Sequence, residues 1–262
     1  MKKFTKLTAF ALALVMALGL LAGCGSSNSD TNSDANTSGD DAAKTKLVVA
    51  TSPDFPPFES LEGGEVVGIE VDILNKVAEK MGMELDIQQM DFDSVIPGVQ
   101  AGKFDVGMSG ITVTDKRKEN VDFSSVYFMA AQAIVVTADS GITGKADLEG
   151  KKVSVQTGTT AEEYCMGNGY EVLAFTANND AAAALTSGKV DAWVVDNEVA
   201  LAMAPELGLT VLDEAMTSEP YAFAFQKGSE LVTPFNEALD ALLSDGTVEQ
   251  IFQQYGVTYI AP

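Results

Sequence analysis

The chain has 262 residues, with 38 acidic side chains, 16 basic side chains and no histidine. Its formal net charge of −22 excludes nucleic acid and anionic lipid as expected partners, because both repel a strongly acidic surface. Without histidine, the commonest metal ligand and the commonest general base near neutral pH are missing. We therefore predict neither a metal site nor a cofactor, and solubility is the simplest account of the acidity.

The N-terminus combines a basic start, an apolar run and a cysteine. Three lysines precede the apolar residues 7–21, a run shorter than the roughly 20 residues that a membrane-spanning helix needs. The run leads into the sequence LAGC at residues 21–24, in which a small-residue cleavage site is followed directly by Cys24. This stretch resembles the lipobox of bacterial lipoproteins, which implies cleavage before Cys24 and lipidation of its thiol. We predict a signal peptide over residues 1–23; the alternative is an uncleaved membrane helix with an incidental cysteine.

A polar segment follows this cysteine. Residues 24–45 hold no large apolar side chain and consist mostly of Ser, Asn, Asp, Thr, Gly and Ala. Such a composition cannot bury enough surface to offset the entropy of ordering, so we predict a flexible linker. Several acyl chains on Cys24 would hold the remainder of the protein on the extracytoplasmic face of the cell membrane.

The rest of the chain is long enough for one large domain or two small ones. Its single cysteine, Cys165, cannot form an internal disulfide, so packing must stabilise the fold. Lys46–Ala50 is a short β-branched run, and a proline-rich turn follows it. Apolar residues then recur at helical spacing from Ile69 to Met81, and Gly82 stands where a helix would stop.

Strands and helices continue to alternate along the chain. Leu85–Gln89 has the alternation of a strand, and Asp93 is the predicted cap of a helix that runs through Gln100. Strands and helices at this spacing imply parallel sheets covered by helices on both faces, which is the α/β class. The further predicted elements are strands near 104–108, 152–156 and 192–195, and helices from about residue 160 and over 178–187.

Two β-rich segments differ from this alternation. Ala133–Thr137 and Tyr221–Gln226 bracket a stretch that has its own strands and helices. We predict a two-lobed body in which these segments are crossing strands that serve as a hinge. The first lobe would comprise residues 46–131 and 221–262, and the second lobe residues 132–220.

Several short blocks resemble the family 3 periplasmic solute-binding proteins, which are the amino-acid receptors of ABC importers. The resemblance begins with the signature GIEVDI at residues 68–73 and covers residues 46–262. It implies a type II periplasmic-binding-protein fold, with two lobes that are each a mostly parallel sheet flanked by helices. The chain is similar to glutamine- and lysine/arginine/ornithine-binding proteins, which implies a free amino acid as ligand, an ABC permease as partner and a monomeric state. The other blocks are FPPFE (55–59), DFD (91–93), SGITVTDKR (109–117), VDFS (121–124) and GKVDA (188–192).

A free amino acid needs hydrogen-bond donors for its carboxylate, an acceptor for its ammonium group and a surface for its side chain. Arg117 and Thr112 suit the carboxylate, because a guanidinium gives it two parallel charge-assisted hydrogen bonds. From the residues alone, the favoured interpretation is that Arg117 pairs with Asp115 or Glu119 on a solvated turn. The resemblance assigns Arg117 to the ligand carboxylate.

The resemblance also supplies the other contacts in the first half of the chain and an acceptor in the second. Ser109 and Gly110 match positions that contact the ligand. Phe55 and Phe92 match aromatic positions that stack on the ligand side chain, although both could be ordinary core residues. Asp196 matches the aspartate that faces the ligand ammonium, although an aspartate after a strand is most often a helix cap.

The loop QTGTT at residues 156–160 runs from a predicted strand into a predicted helix. Its N–H groups can therefore meet the ligand carboxylate, and the family uses the loop in this way. The residues assigned to the ligand here are Gln156, Thr159 and Thr160.

Ser52 is a predicted ligand contact at a position where the chain departs from the family. Several members specific for basic or amide side chains have an aspartate there. Asp54, Glu59 or Glu70 could supply the missing carboxylate.

Two other functions compete with a binding protein that delivers a polar L-α-amino acid to a permease. A few proteins with this fold are dehydratases of prephenate-type substrates, which need a general acid. Glu162 or Glu163 could serve, but a zwitterion suits the pair Arg117 and Asp196 better, so we predict no enzyme. The fold also occurs in sensory receptors, and a relay to a separate sensor is the form expected here.

Overall fold

The computed structural model describes residues 45–262. The predicted signal peptide, the lipidation site Cys24 and nearly all of the predicted linker lie outside these residues. Within the described part of the chain, no helix is long and apolar enough to cross a membrane.

Strands and helices alternate through most of the described chain. The strands are β1 (Lys46–Thr51), β2 (Asp54–Phe55), β3 (Glu59–Glu62), β4 (Glu65–Val67), β5 (Glu84–Gln89), β6 (Val106–Gly107), β7 (Val121–Phe123), β8 (Phe128–Ala130), β9 (Gln132–Val136), β10 (Lys152–Gln156), β11 (Glu171–Phe175), β12 (Ala192–Asp196), β13 (Thr210–Val211), β14 (Glu219–Tyr221) and β15 (Ala224–Gln226). The α-helices are α1 (Ile69–Met81), α2 (Phe92–Gln100), α3 (Asp115–Lys118), α4 (Thr160–Gly167), α5 (Asn178–Thr186), α6 (Asn197–Met203), α7 (Val232–Ser244) and α8 (Thr247–Gln254). Short 3₁₀ turns lie at Lys145–Leu148 and Pro205–Leu207.

Two five-stranded sheets form the centres of two lobes. The first sheet has the order β5-β1-β6-β15-β7 and the second has the order β11-β10-β12-β9-β13. In each sheet the first three strands are parallel and the last two are antiparallel to their neighbours. Helices α1 and α2 pack on the first sheet, and α4, α5 and α6 pack on the second. The predicted α/β, two-lobed fold is confirmed.

Helix α1 follows directly from its apolar spacing. Ile69, Ile73 and Val77 are fully buried along one face. Gly82 ends the helix in the left-handed conformation, with φ of 67°. Before the helix, Gly68 has φ of 141°, and a Cβ there would lie 2.1 Å from the carbonyl oxygen of Phe58. Only glycine fits this entry into the helix.

The predicted cap of α2 is wrong by two residues. The helix begins at Phe92, and Asp91 occupies the cap position with an extended backbone, φ −70° and ψ 145°. Asp93 lies inside the first turn, where its carboxylate accepts a hydrogen bond from the hydroxyl of Ser94 at 3.1 Å. The chain turns helical directly after Asp91, which brings the ring of Phe92 into the first turn.

The crossing strands lie just before the predicted hinge segments. In place of Ala133–Thr137 and Tyr221–Gln226, the crossing pair is β8 with β14, which are antiparallel. The predicted segments mostly enter the sheets as β9 and β15. All five residues of β9 are buried, which suits a strand inside a sheet better than an exposed hinge. The lobe boundaries given above stay a prediction.

Aromatic rings pack beneath the crossing strands. The ring centroids of Phe128 and Phe252 are 4.6 Å apart, and those of Phe58 and Tyr221 are 5.2 Å apart. Because Phe252 belongs to α8, this cluster joins the crossing strands to the C-terminal helix of the first lobe. In the second lobe the largest fully buried side chain is that of Trp193, on β12.

Candidate functional site

Ten of the eleven predicted ligand contacts line one narrow cavity between the lobes, with about 10 Å³ of open space. The cavity lies at the carboxyl ends of parallel strands in both sheets, where open α/β folds bind ligands. Ser52 is the exception, because it lines a neighbouring open groove of about 730 Å³. The first lobe supplies Phe55, Phe92, Ser109, Gly110, Thr112 and Arg117, and the second supplies Gln156, Thr159, Thr160 and Asp196.

Arg117 bridges the two lobes. Its Nη1 donates to the carbonyl oxygen of Thr112 at 2.9 Å, and its Nη2 donates to that of Gly158, in the second lobe, at 3.1 Å. The guanidinium carbon lies 5.6 Å from the ring centroid of Phe92. Asp115, the alternative partner, instead pairs with Lys118 at 3.3 Å. Burial lowers the pKa of Arg117, but a guanidinium stays charged in proteins.

Asp196 is an acceptor rather than a helix cap. It stands at the cap position of α6, but its side chain makes no capping hydrogen bond. Its Oδ1 accepts from the amide of Gln132 at 2.7 Å, and its Oδ2 accepts from the hydroxyl of Tyr221. Burial, followed by the charge of Glu219, raises the pKa of Asp196 to about 7. A buried carboxylate of this kind gains stability from a cation in the cavity.

Phe55 and Phe92 belong both to the core and to the cavity wall. They are 7% and 9% exposed; Phe55 packs into an apolar cluster with members from both lobes, and Phe92 packs into a smaller cluster of the first lobe. Gly110 permits the close approach of Phe55, because a Cβ at Gly110 would lie 2.5 Å from that ring. Gly110 also has φ of 54°, which favours glycine.

Two buried glutamates lie beneath the segment that carries Ser109 and Gly110. The hydroxyl of Ser109 donates to Glu59 at 2.9 Å, and the amide of Gly110 donates to Glu70 at 2.8 Å. Glu70 also accepts from the hydroxyl of Tyr127 at 2.5 Å. Burial and the neighbouring Glu70 raise the pKa of Glu59 well above its usual value, so Glu59 holds a proton. Both glutamates are fully buried and do not line the cavity, so neither replaces the missing carboxylate at Ser52.

The loop of the second lobe is held by its own hydrogen bonds. The hydroxyl of Thr159 donates to the carbonyl oxygen of Gln156 at 2.6 Å and accepts from the amide of Glu162 at 3.2 Å. The carboxylate of Glu162 accepts from the amide of Gly158 at 2.7 Å. These bonds cap α4 and fix Thr159 and Thr160 against the cavity. Glu162 is thereby a structural residue of the loop.

Asp54 is the candidate carboxylate that lies closest to the cavity. Its Oδ2 accepts from the backbone amide of Asn178 at 2.7 Å, and its Oδ1 accepts from the hydroxyl of Ser52 at 3.0 Å. The amide nitrogen of Gln156 lies 3.3 Å from the same carboxylate. Because Gln156 lines the cavity, Asp54 stands directly behind the cavity wall. Burial raises the pKa of Asp54.

The sequence did not point to Gln132, Tyr221 or Asn178. The first two hold Asp196 in place, and Asn178 holds Gln156 through its side-chain amide at 2.9 Å. Within residues 45–262, no group of three or more histidine, cysteine, aspartate or glutamate side chains is arranged to hold a metal ion.

The chain is similar to known amino-acid-binding proteins. The chain is 35% identical over 243 residues to the arginine-binding extracellular protein ArtP of Bacillus subtilis, which covers 90% of this chain and 92% of that protein. The structure resembles an ancestral arginine-binding protein bound to glutamine, with 40% identity, a TM-score of 0.77, and coverage of 81% of this chain and 98% of that one. It also resembles an ancestral amino acid-binding protein described as a precursor of cyclohexadienyl dehydratase, with 35% identity, a TM-score of 0.75, and coverage of 80% and 95%.

A family sequence profile also matches the chain. The profile of the bacterial extracellular solute-binding proteins, family 3, matches residues 47–258. That range includes both sheets and every residue of the cavity wall. The chain therefore belongs to family 3 of the bacterial extracellular solute-binding proteins.

Proposed function

We propose that this protein captures a free L-α-amino acid between its lobes and is the binding component of an ABC importer. The observation that carries the proposal is the pairing of Arg117 and Asp196 on opposite lobes of one cavity. The guanidinium suits the carboxylate of a zwitterion, and the buried carboxylate suits its ammonium group. Binding of both ends joins the lobes, so the ligand favours the closed form.

We infer further that the ligand side chain is cationic, with L-arginine as the first candidate. The ligand's own carboxylate and ammonium group would neutralise Arg117 and Asp196. Glu219 beside Asp196 would then remain as an uncompensated carboxyl group. A cationic side chain is attracted by this excess, especially in a water-poor cleft. The arginine-binding names of the relatives support the same class.

Glutamine is the second candidate. The uncharged side chain of Gln156 in the cavity wall suits an amide side chain. The ancestral arginine-binding relative bound to glutamine supports this candidate as well.

Calorimetric titration of the purified protein with arginine, lysine, histidine, glutamine and glutamate tests both inferences. We expect arginine to bind tightest, glutamine more weakly and glutamate not at all. Glutamine binding more tightly than arginine would contradict only the cationic class. Affinities no tighter than millimolar for all five, and for the other common amino acids, would contradict the proposed function.

Two alanine variants sharpen the titration. Arg117→Ala removes the proposed carboxylate partner, and we expect at least a hundredfold loss of affinity, in the range of a buried charge-assisted pair. Lys118→Ala removes the same charge from the same short helix, but Lys118 pairs only with exposed Asp115. We expect this control variant to bind as the parent does.

We also propose that the protein performs no dehydratase chemistry. The two glutamates that could act as a general acid have other partners: Glu162 holds the loop amide of Gly158, and Glu163 pairs with Lys116 across the cleft. Neither glutamate lines the cavity. Formation of phenylpyruvate from prephenate by the purified protein, at a rate above the uncatalysed one, would contradict this proposal.

Membrane attachment through a lipid on Cys24 is likewise a proposal, together with a monomeric state. The N-terminal run that ends at LAGC supports the lipid anchor. Membership of a family of extracellular solute-binding proteins supports the export of this protein.

A further inference from the structure

Helix α5 begins without a capping side chain of its own. The residue at its cap position is Ala177, which has an extended backbone and no side chain that can accept a hydrogen bond. The first N–H groups of a helix need such acceptors and carry the positive end of the helix dipole. The acceptor for Asn178 comes from the other lobe, because its amide donates to Asp54 at 2.7 Å.

The same carboxylate also orders the wall of the cavity. Gln156 donates to Asp54 at 3.3 Å and to the carbonyl oxygen of Thr176 at 3.0 Å. The side-chain oxygen of Gln156 accepts from the amide of Asn178 at 2.9 Å. One acidic side chain of the first lobe is thus hydrogen-bonded to both the helix start and the cavity wall of the second lobe.

These contacts form only when the lobes are together. Asp54 lies on β2, which pairs with β3, and β3 packs against α1 of the first lobe. Asn178 and Gln156 lie on α5 and β10 of the second lobe. Asp54 is mostly buried in this position, so water screens its interaction with the helix start only partly.

We propose that Asp54 is a positioning residue that stabilises the closed form by capping α5 across the cleft, whichever amino acid is bound. The proposal deepens the proposed binding function and rests on it for the use of amino acids as probes. A residue that shifts the population of the closed form changes the affinity for all ligands by the same factor. A residue that contacts the ligand side chain changes the affinity for one class of ligand only.

Spin labels on Glu79→Cys and Met166→Cys, one on each lobe, measure closure directly. Both sites are exposed, and the buried Cys165 is not expected to react. All labelled proteins also carry Cys24→Ala, and the Cys24→Ala parent protein, which must take up no label, is the labelling control. Without ligand and with arginine or glutamine, we expect Asp54→Ala to reduce the fraction of the short interlobe distance. Calorimetry should show roughly 2- to 30-fold weaker binding of arginine and of glutamine, by equal factors, in the range of a lost helix cap.

Asp180→Asn is the matched control. Asp180 is an exposed acid in the first turn of the same helix, so its loss removes the same charge near the same helix start. It makes no hydrogen bond to the first lobe among the described contacts, so the interlobe distances and affinities should stay unchanged. Equal opening in Asp180→Asn and Asp54→Ala would overturn the proposal, because the effect would then come from charge alone.

A second variant separates closure from the stability of α5. Ala177→Ser gives α5 a cap within its own lobe, and in the Asp54→Ala background it should restore the melting temperature but not the closed fraction. An unchanged distance distribution in Asp54→Ala, or a loss of affinity for arginine alone, overturns the proposal. If no amino acid binds at all, the proposed function fails, whereas the distances in the ligand-free protein still decide whether Asp54 closes the lobes.

Discussion

Asp196 is the residue whose chemistry depends most on what enters the cavity. It is 6% exposed and accepts hydrogen bonds from Gln132 and Tyr221, yet its pKa is raised to about 7 by burial and by Glu219. A ligand ammonium group favours the ionised form. Below pH 7, binding must therefore release a proton from Asp196.

This linkage predicts that affinity falls in acid. Since a raised pKa means that the ligand-free carboxyl is protonated below about pH 7, the dissociation constant for arginine should rise about tenfold per pH unit from 7 down to 5 and be flat above 7.5. Tyr221→Phe removes a hydrogen bond that lowers this pKa, so the midpoint should move to higher pH. Calorimetry in buffers of different ionisation enthalpy measures the released proton. Constant affinity from pH 5 to 8 would show that Asp196 is already ionised.

Glu59 and Glu70 form a second pair whose members have different surroundings. Glu70 accepts from the amide of Gly110 and from the hydroxyl of Tyr127, whereas burial and the neighbouring Glu70 raise the pKa of Glu59 well above its usual value, so that Glu59 holds a proton. Glu59→Gln retains a neutral side chain of the same shape, and the free energy of unfolding should change by less than about 1 kcal/mol. Glu70→Gln turns an amide donor toward existing donors and should cost about 2–4 kcal/mol.

Urea denaturation at pH 7 measures both variants. Each serves as the control for the other, because both remove one buried carboxyl at almost the same place. Glu59 has a raised pKa in the folded protein, so its contribution weakens as pH rises above the unfolded value near 4.5. In the Glu59→Gln variant, the free energy of unfolding should lack the pH dependence that Glu59 contributes. Equal destabilisation by the two substitutions would contradict this assignment of the proton.

At this scale, the order of short motifs was enough to predict most of the cavity. Ser52 lines the neighbouring groove, and its hydroxyl donates to Asp54 at 3.0 Å, an arrangement that depends on the packing of β2. Gln132 and Tyr221 lie 64 and 25 residues from Asp196 in the sequence. Nothing local in their surroundings indicates this contact, because it depends on how β9 and β14 cross between the lobes.

Among the elements, the loop from β10 to α4 contacts the opposite lobe directly. Gly158 in this loop has φ of 80°, and its carbonyl oxygen accepts from Arg117 across the cleft. A Cβ at Gly158 would lie 3.1 Å from Cβ and 3.3 Å from Cα of Asp93, at the start of α2. The lobes can close to this distance because the loop has no side chain there.

Gly158→Ala should therefore weaken ligand binding more than it destabilises the fold. The backbone strain of a positive φ costs roughly 1 kcal/mol, and the contact with Asp93 opposes closure in addition. Gly169→Ala is the matched control, since Gly169 has φ of 75° and nothing within 4 Å of the added Cβ. We expect similar melting temperatures for both variants, but at least tenfold weaker arginine binding for Gly158→Ala alone. Equal affinities in the two variants would exclude a role in closure.

Long elements with a regular pattern were predictable, and short ones were not. Helix α1 was predicted over its full length because its apolar spacing and Gly82 agree. The crossing strands β8 and β14 have three residues each, too few for a periodic pattern. Their partners are also set by tertiary packing, so β-rich composition alone pointed to the adjoining segments β9 and β15.

For the whole molecule, the family and the two-lobed α/β fold were predicted correctly from the sequence. The predicted role in amino-acid import agrees with the amino-acid binding of the relatives. The reason is that the recognisable blocks extend over both lobes in the expected order. Membrane attachment is different, because it depends on Cys24, outside the described residues.

Cys24→Ala tests this attachment. We expect the variant protein to bind arginine as the parent does but to leave the membrane fraction, and amino-acid uptake at low external concentration should fall. Cell fractionation and uptake of labelled arginine measure the two effects. Ser26→Ala, two residues away, is the control and should change neither. Unchanged uptake in Cys24→Ala cells would show that the anchor is incidental to transport.

Trp193 gives the molecule a built-in optical reporter. It is the single tryptophan of the chain and is fully buried on β12, three residues before Asp196. Its fluorescence therefore follows the second lobe alone, whereas circular dichroism follows helices of both lobes. Comparing the two signals during denaturation shows whether the lobes melt as one cooperative unit, and how far a bound amino acid couples them.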